Sequence, residues 1–125
     1  MAIELRSQPT PVNTLGSTST AIATYLIGPI EGSKIKGCKP SMCFDDGSGD
    51  LEVAAIYSTS DDGITWGAGT ALTSYGSTAG WTYASDVDLS SAAKAYFKFG
   101  FAARNKTATA IECARCVLIV ELTFT

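Results

Sequence analysis

The sequence predicts an all-β protein, a single-domain β-sandwich of jelly-roll type with about eight strands. Three observations carry this. Apolar residues alternate with period two in several runs, and no run of helical period and helical length occurs. The runs are short and separated by turn residues rich in Gly, Asn, Asp and Ser, which is the spacing of sandwiches and barrels. At 125 residues the chain holds one core, and it is too short for a propeller, which needs at least about four blades of roughly 40–50 residues.

Taken in order, residues 1–17 read as an extended N-terminal arm. After a short strand at 3–5, Pro9-Thr10-Pro11 favours extended backbone that could lie along a neighbouring subunit. Removing residues 1–13 is expected to leave the remaining fold intact. Residues 18–125 form the sandwich domain. The first β-rich run, 18–27, is at least half apolar on both faces and ends at Gly28-Pro29. A short strand around Ile35 follows, with Gly37 as a candidate bulge, and 40–49 reads as a loop. Residues 51–58 alternate cleanly, with Leu51, Val53, Ala55 and Tyr57 on one side.

Residues 67–80 read as a long surface loop with one short strand near 70–73, and 81–83 as another strand piece. One helical turn fits 86–93, capped by Asp88 or Ser90. The clearest strand is 95–104, where Phe97, Phe99, Phe101 and Ala103 share a face as a core seam. The last strand, 111–124, sends Cys116, Leu118, Val120 and Leu122 one way and Val117, Ile119 and Glu121 the other.

Between two of these runs lies Thr59-Ser60-Asp61-Asp62-Gly63-Ile64-Thr65-Trp66. Asp-Asp-Gly is turn chemistry, because Asp bonds its own downstream backbone and Gly takes positive φ. With Thr59, Asp61, Gly63, Thr65 and Trp66 at the spacing S/T-x-D-x-G-x-T-W, the octet resembles an Asp-box, a hairpin found repeated in sialidase-type propellers and singly elsewhere. The resemblance implies a structural role, in which Asp and Thr tie the turn and the aromatic ring packs inside.

Composition excludes more than it assigns. Hydrophobic residues make up 46% and charged residues 17%, against roughly 25% charged in an ordinary soluble domain. So sparse a charged coat leaves two readings: an outer face covered in Ser and Thr, or apolar surface buried against a partner. Net charge is −3 and the nine basic residues are scattered, so no phosphate-binding stripe forms and a nucleic-acid partner is not expected. No stretch approaches a membrane span and Met1 to Arg6 lacks a leader pattern, so assembly in the cytoplasm without signal-directed export is expected. The chain has no His, which removes the common general base and every His-dependent triad, and no enzyme activity is expected.

Two cysteine pairs, Cys38-x4-Cys43 and Cys113-x2-Cys116, raise a zinc reading. Odd spacing on a strand sends Cys113 and Cys116 to opposite faces. Buried thiols are therefore the leading reading, with disulfides or zinc as alternatives, and no metal or other cofactor is expected. The acidic loop of Asp45, Asp46, Asp50 and Glu52 reads as a solvated turn, since an EF-hand match fails at its sixth and twelfth positions. Tyr75, Trp81 and Tyr83 form a candidate ligand face, because exposed aromatics stack on sugars.

In layout the chain resembles small phage virion proteins, the head decoration (cement) proteins with β-sandwich folds. That resemblance implies a homo-oligomer, with a trimer favoured. It also implies the major capsid protein as partner, a place on the capsid surface, and the arm at 1–13 as capsid anchor. The alternative is a carbohydrate-binding or tail receptor-binding module carried by Tyr75, Trp81 and Tyr83.

Overall fold

The structure is a computed structural model. It describes residues 2–8, 10–13, 22–44, 51–75, 80–92, 94–105 and 112–124. Among the described residues ten strands run in chain order: β1 (Ala2–Arg6), β2 (Thr10–Asn13), β3 (Ile22–Glu31), β4 (Ile35–Phe44), β5 (Leu51–Ser60), β6 (Thr70–Ala71), β7 (Gly80–Tyr83), β8 (Val87–Asp88), β9 (Tyr96–Asn105) and β10 (Glu112–Phe124). One 3-10 turn, Ser90–Ala92, lies between β8 and β9. Asp88 Oδ1 caps it by accepting from the backbone N–H of Ser90 at 2.9 Å, as the sequence leads one to expect.

The strands form two antiparallel sheets. In sheet A the order is β1-β10-β4-β7, with β2 also on β10 and β8 also on β4. β1 pairs with residues 119–123 of β10 and β2 with residues 112–116, so β1 and β2 share one position in the sheet. β7 and β8 share another in the same way along β4. Sheet B has the order β3-β9-β5-β6. Each sheet therefore has four positions. Along the chain the eight positions visit the sheets in the sequence A, B, A, B, B, A, B, A. First pairs with last, and inner pairs nest within outer ones, which is the double Greek key of a jelly roll.

The core lies between the sheets and follows the period-two pattern. Phe97, Phe99, Phe101 and Ala103 of β9 face Cys116, Leu118, Val120 and Leu122 of β10, and all eight are essentially inaccessible. Val53 and Ala55 of β5 extend one side of this seam, and Ile35, Cys38 and Met42 of β4 the other. The Phe97 and Phe99 rings stack with centroids 6.0 Å apart, and Tyr57 lies 5.9 Å from Phe97. At position 100 a side chain is forbidden: a Cβ there would sit 2.0 Å from the Thr24 carbonyl oxygen and 2.6 Å from the Tyr25 Cα.

Two expectations are corrected. The N-terminal arm is not free over its described residues, because 2–6 and 10–13 are edge strands of sheet A. The segment between them is stitched to the middle of β10. Ser7 N–H donates to the Leu118 carbonyl at 2.8 Å, and Leu118 N–H donates to Ser7 Oγ at 2.8 Å. Pro11, one of the two prolines that suggested an arm, lies in the edge strand β2, a place open to proline because an edge strand has one side with no neighbour.

The second correction concerns 40–44, expected as loop but part of β4. Pro40 sits inside this central strand opposite Val120. Its carbonyl accepts from Ala84 N–H at 3.1 Å. The position of its missing N–H therefore faces the gap between β7 and β8, where no ladder bond is needed. Gly37 does lie at an irregularity, since the β4–β10 register shifts between Thr123 and Phe124.

Candidate interaction surface

Past β5 the chain turns through 61–65 and crosses the outer face of sheet B as a strap, 66–75. The turn is organised by Ser60 and Asp62. Asp62 Oδ1 accepts the N–H groups of Ile64 and Thr65, both at 2.8 Å, and the Ser60 hydroxyl at 3.0 Å. Ser60 Oγ accepts Gly63 N–H at 2.9 Å. Gly63 has φ of 78°, the left-handed value its place in the turn requires.

These ties fall one residue after the expected Thr59 and Asp61. Thr59 contributes its carbonyl, which accepts Gly67 N–H at 3.1 Å. Asp61 is exposed and faces the Lys94 ammonium at 3.9 Å, an ion pair worth little in water. Thr65 is exposed and serves through its backbone. The turn holds Ile64 out at 83% exposure.

The three bonds from Thr65, Ile64 and Ser60 hold the Asp62 carboxyl below the usual carboxylate range. A depressed folded pKa stabilises the fold above the unfolded value near 4 and is lost as pH falls through the folded value. Asp62→Ala is therefore expected to lower Tm at pH 7, with the gap to the wild type closing toward pH 2.5 in a calorimetric pH series. An unchanged gap would mean that the charge on Asp62 plays no part.

Trp66 does not pack inside the sandwich. It lies half-buried on the outer face of sheet B, where the Lys98 ammonium sits 4.6 Å from its ring centroid. The same ammonium is 4.1 Å from the Tyr25 ring. At the other end of the strap the Arg104 guanidinium covers Tyr75 at 4.0 Å and bonds Glu52 Oε1 at 3.3 Å. Lys98 and Arg104 are six apart on β9 and share a face, so two cation–π contacts pin the strap. Between them Ser58 Oγ donates to the Gly67 carbonyl at 2.7 Å, Leu72 N–H to the Ala55 carbonyl at 2.7 Å, and Ala55 N–H to Thr73 Oγ1 at 3.0 Å.

The strap explains why Ala54, Ile56 and Ser58, on the solvent side of β5, are buried. Burial also raises the Tyr25 hydroxyl pKa, partly offset by its hydrogen bond with Ser58. Tyr25, Lys98 and Arg104 were missed in the sequence. The period-two reading put Lys98 and Arg104 on an outer face, but nothing local indicates that the distant rings of Tyr25, Trp66 and Tyr75 meet them.

The expected ligand face is divided between the sheets. Tyr75 is on the strap over sheet B, whereas Trp81 and Tyr83 belong to β7 in sheet A, opposite Cys43 and Ser41. The side chains of Trp81, Tyr83 and Cys113 lie outside the described residues, as does the acidic loop 45–50.

Cys38 points into the core and Cys43, five residues on, to the outer side; both are free thiols. Burial, and secondarily the nearby Asp86 carboxylate, push the Cys38 thiol up to about 12, the opposite of what a metal-binding thiolate needs. Among the described residues no group of three or more potential ligands comes together. The alternation argument for Cys113 and Cys116 does not carry over, because the β10–β2 register shifts between them. At pH 8 iodoacetamide is expected to label Cys43 and to spare Cys38 until denaturant is added, read by peptide mass spectrometry. Rapid native labelling of Cys38 would show that its part of the core opens.

A groove of about 270 Å³ at the end of sheet A is lined by Lys36, Gly37, Asp86, Val87, Asp88 and Thr123. Asp88 in this groove accepts the Ser90 hydroxyl and feels the charge of the Lys36 ammonium.

These features define a jelly-roll β-sandwich. No protein-family model matches the chain, and no curated protein matches it. Solved structures do. The VP2 subviral particle of infectious bursal disease virus has a TM-score of 0.65 at 10% identity over 97% of this chain and 32% of that chain. The structure of the Gx strain of that virus has a TM-score of 0.60 at 12% identity over 97% of this chain and 33% of that chain. For the T13 particle the values are 0.56, 10%, 96% and 31%. The chain thus spans about one third of the length of those chains. At this identity the likeness is one of fold.

Proposed function

We propose that this chain is a structural protein of a virus particle, a phage head decoration or cement protein that clamps the capsid through contacts between its own copies and with the major capsid protein. The observation that carries the reading is the complete eight-position jelly roll, which aligns over 97% of the chain with a capsid-forming protein. The charged fraction of 17% and the lack of His agree with a protein that works by buried contact. The mechanism is binding energy alone. A contact of roughly 800 Å² per partner is enough for a stable clamp. The chain would sit on the capsid surface after assembly in the host cytoplasm.

Native mass spectrometry of the purified chain tests this reading. A homo-oligomer, with a trimer as the expected unit, supports it, and a monomer at every concentration overturns it. A second reading, a carbohydrate-binding or tail receptor-binding module, is favoured by Trp81 and Tyr83 lying two apart on β7, since jelly rolls also serve as lectin scaffolds. Glycan-array binding that Trp81→Ala abolishes without loss of folding would establish it.

A further inference from the structure

A two-sheet sandwich has four open edges, each a row of backbone donors and acceptors that can pair with another chain. Three are blunted here. The β1/β2 edge is interrupted between its two short strands and carries Glu4, Arg6 and Pro11. The β7/β8 edge is broken in the same way, with β8 only two residues long. β6 is two residues long and lies within the strap.

The fourth edge is β3, ten residues long. Its second half has register shifts, a positive-φ Gly28 and Pro29, all devices that spoil strand addition. Its first half has none. Ile22, Ala23, Thr24 and Tyr25 run in unbroken register with Ala103, Ala102, Phe101 and Gly100. Residues 22–30 contain no charge at all. Among the described residues, no strand pairs with the far side of β3.

We infer that the 22–25 edge of β3 pairs antiparallel with the same edge of a second copy, about a two-fold axis at Thr24. This rests on the homo-oligomer of the proposed function and names one of its contacts. The second copy is the occupant because an uncharged edge can meet itself without placing like charges opposite each other. The β1 edge is a contrast: centred on itself it would set Glu4 against Glu4. About Thr24, the two threonines face each other and Ala23 meets the partner's Tyr25. The inner faces of the two sandwiches then join, and sheet B continues through eight positions across the pair. A two-fold axis requires an even number of copies, as a dimer or as two trimers joined into a hexamer.

The test is Thr24→Cys, a nearly isosteric change. Across either kind of antiparallel pair the Cα atoms are about 4.5–5.5 Å apart, inside the roughly 4.4–6.8 Å range for a disulfide. Mild oxidation is expected to give a covalent dimer on a non-reducing gel well above the wild-type background. Thr24→Lys, which sets two ammonium groups together on the axis, is expected to halve the native mass while the thermal transition remains. Absence of the cross-link, or a native mass unchanged by Thr24→Lys, overturns the pairing. A wild-type trimer leaves the proposed function standing and overturns the pairing alone, whereas a wild-type monomer overturns both.

Discussion

Deletion of residues 1–13 is expected to abolish the cooperative thermal transition, not merely to detach an arm. β1 contributes five register pairs to β10 and β2 contributes three. At about one ladder bond per pair and roughly 0.5–1.5 kcal/mol net per bond, the loss is on the order of 4–12 kcal/mol. That is comparable with the whole stability of a domain, about 5–15 kcal/mol. Further losses come from Leu5, which packs against the core, and from the two Ser7–Leu118 bonds. The deletion also turns β10 from an inner strand into a long apolar edge, an aggregation hazard. Circular dichroism melting of the truncated chain checks this. A sharp transition within a few degrees of the wild type would show that β1 and β2 are dispensable and revive the arm.

Phe99→Ala is expected to cost about 3–5 kcal/mol, the usual range for emptying a buried aromatic site. Phe99 is fully buried, stacked on Phe97, and lies between Ile27 of β3 and Tyr57 of β5 in the register of sheet B. Collapse around the void is resisted on both sides: the neighbours Phe97 and Phe101 are themselves fixed, and the opposing β10 side chains belong to a continuous ladder. Urea unfolding at constant m should show the midpoint lowered by this free energy divided by m. A loss under about 1.5 kcal/mol would mean that the sheets close up over the gap.

The fold class was legible in the sequence because it depends on a pattern each strand carries alone. Phe97, Phe99 and Phe101 alternate with Lys98 and Gly100, and no other period fits. The cap at Asp88 and the turn at Gly63 were legible for the same local reason. Residues decided by distant partners were not. Pro40 reads as a loop residue until the β7/β8 gap beside it is known, and Pro9 and Pro11 read as an arm until β10 is seen to need a neighbour. Asp61 and Asp62 are adjacent and chemically identical, so choosing the one that ties the turn requires its geometry. The paired roles of Lys98 and Arg104 depend on Trp66 and Tyr75, which reach them only after the strap folds over.

The nesting of the strands fixes an order of events for a growing chain. β1 and β2 find their partner only in β10, the last of the described strands in chain order. Until β10 is made they have no sheet to join, and β3 likewise waits for β9. Few contacts can form early, and closing such long loops precedes any reward from them. The sandwich should therefore close only once β10 is available, on a timescale of milliseconds to seconds, and a chain that stops before residue 112 should show no cooperative thermal transition, because sheet A then lacks the strand that joins β1 and β2 to β4.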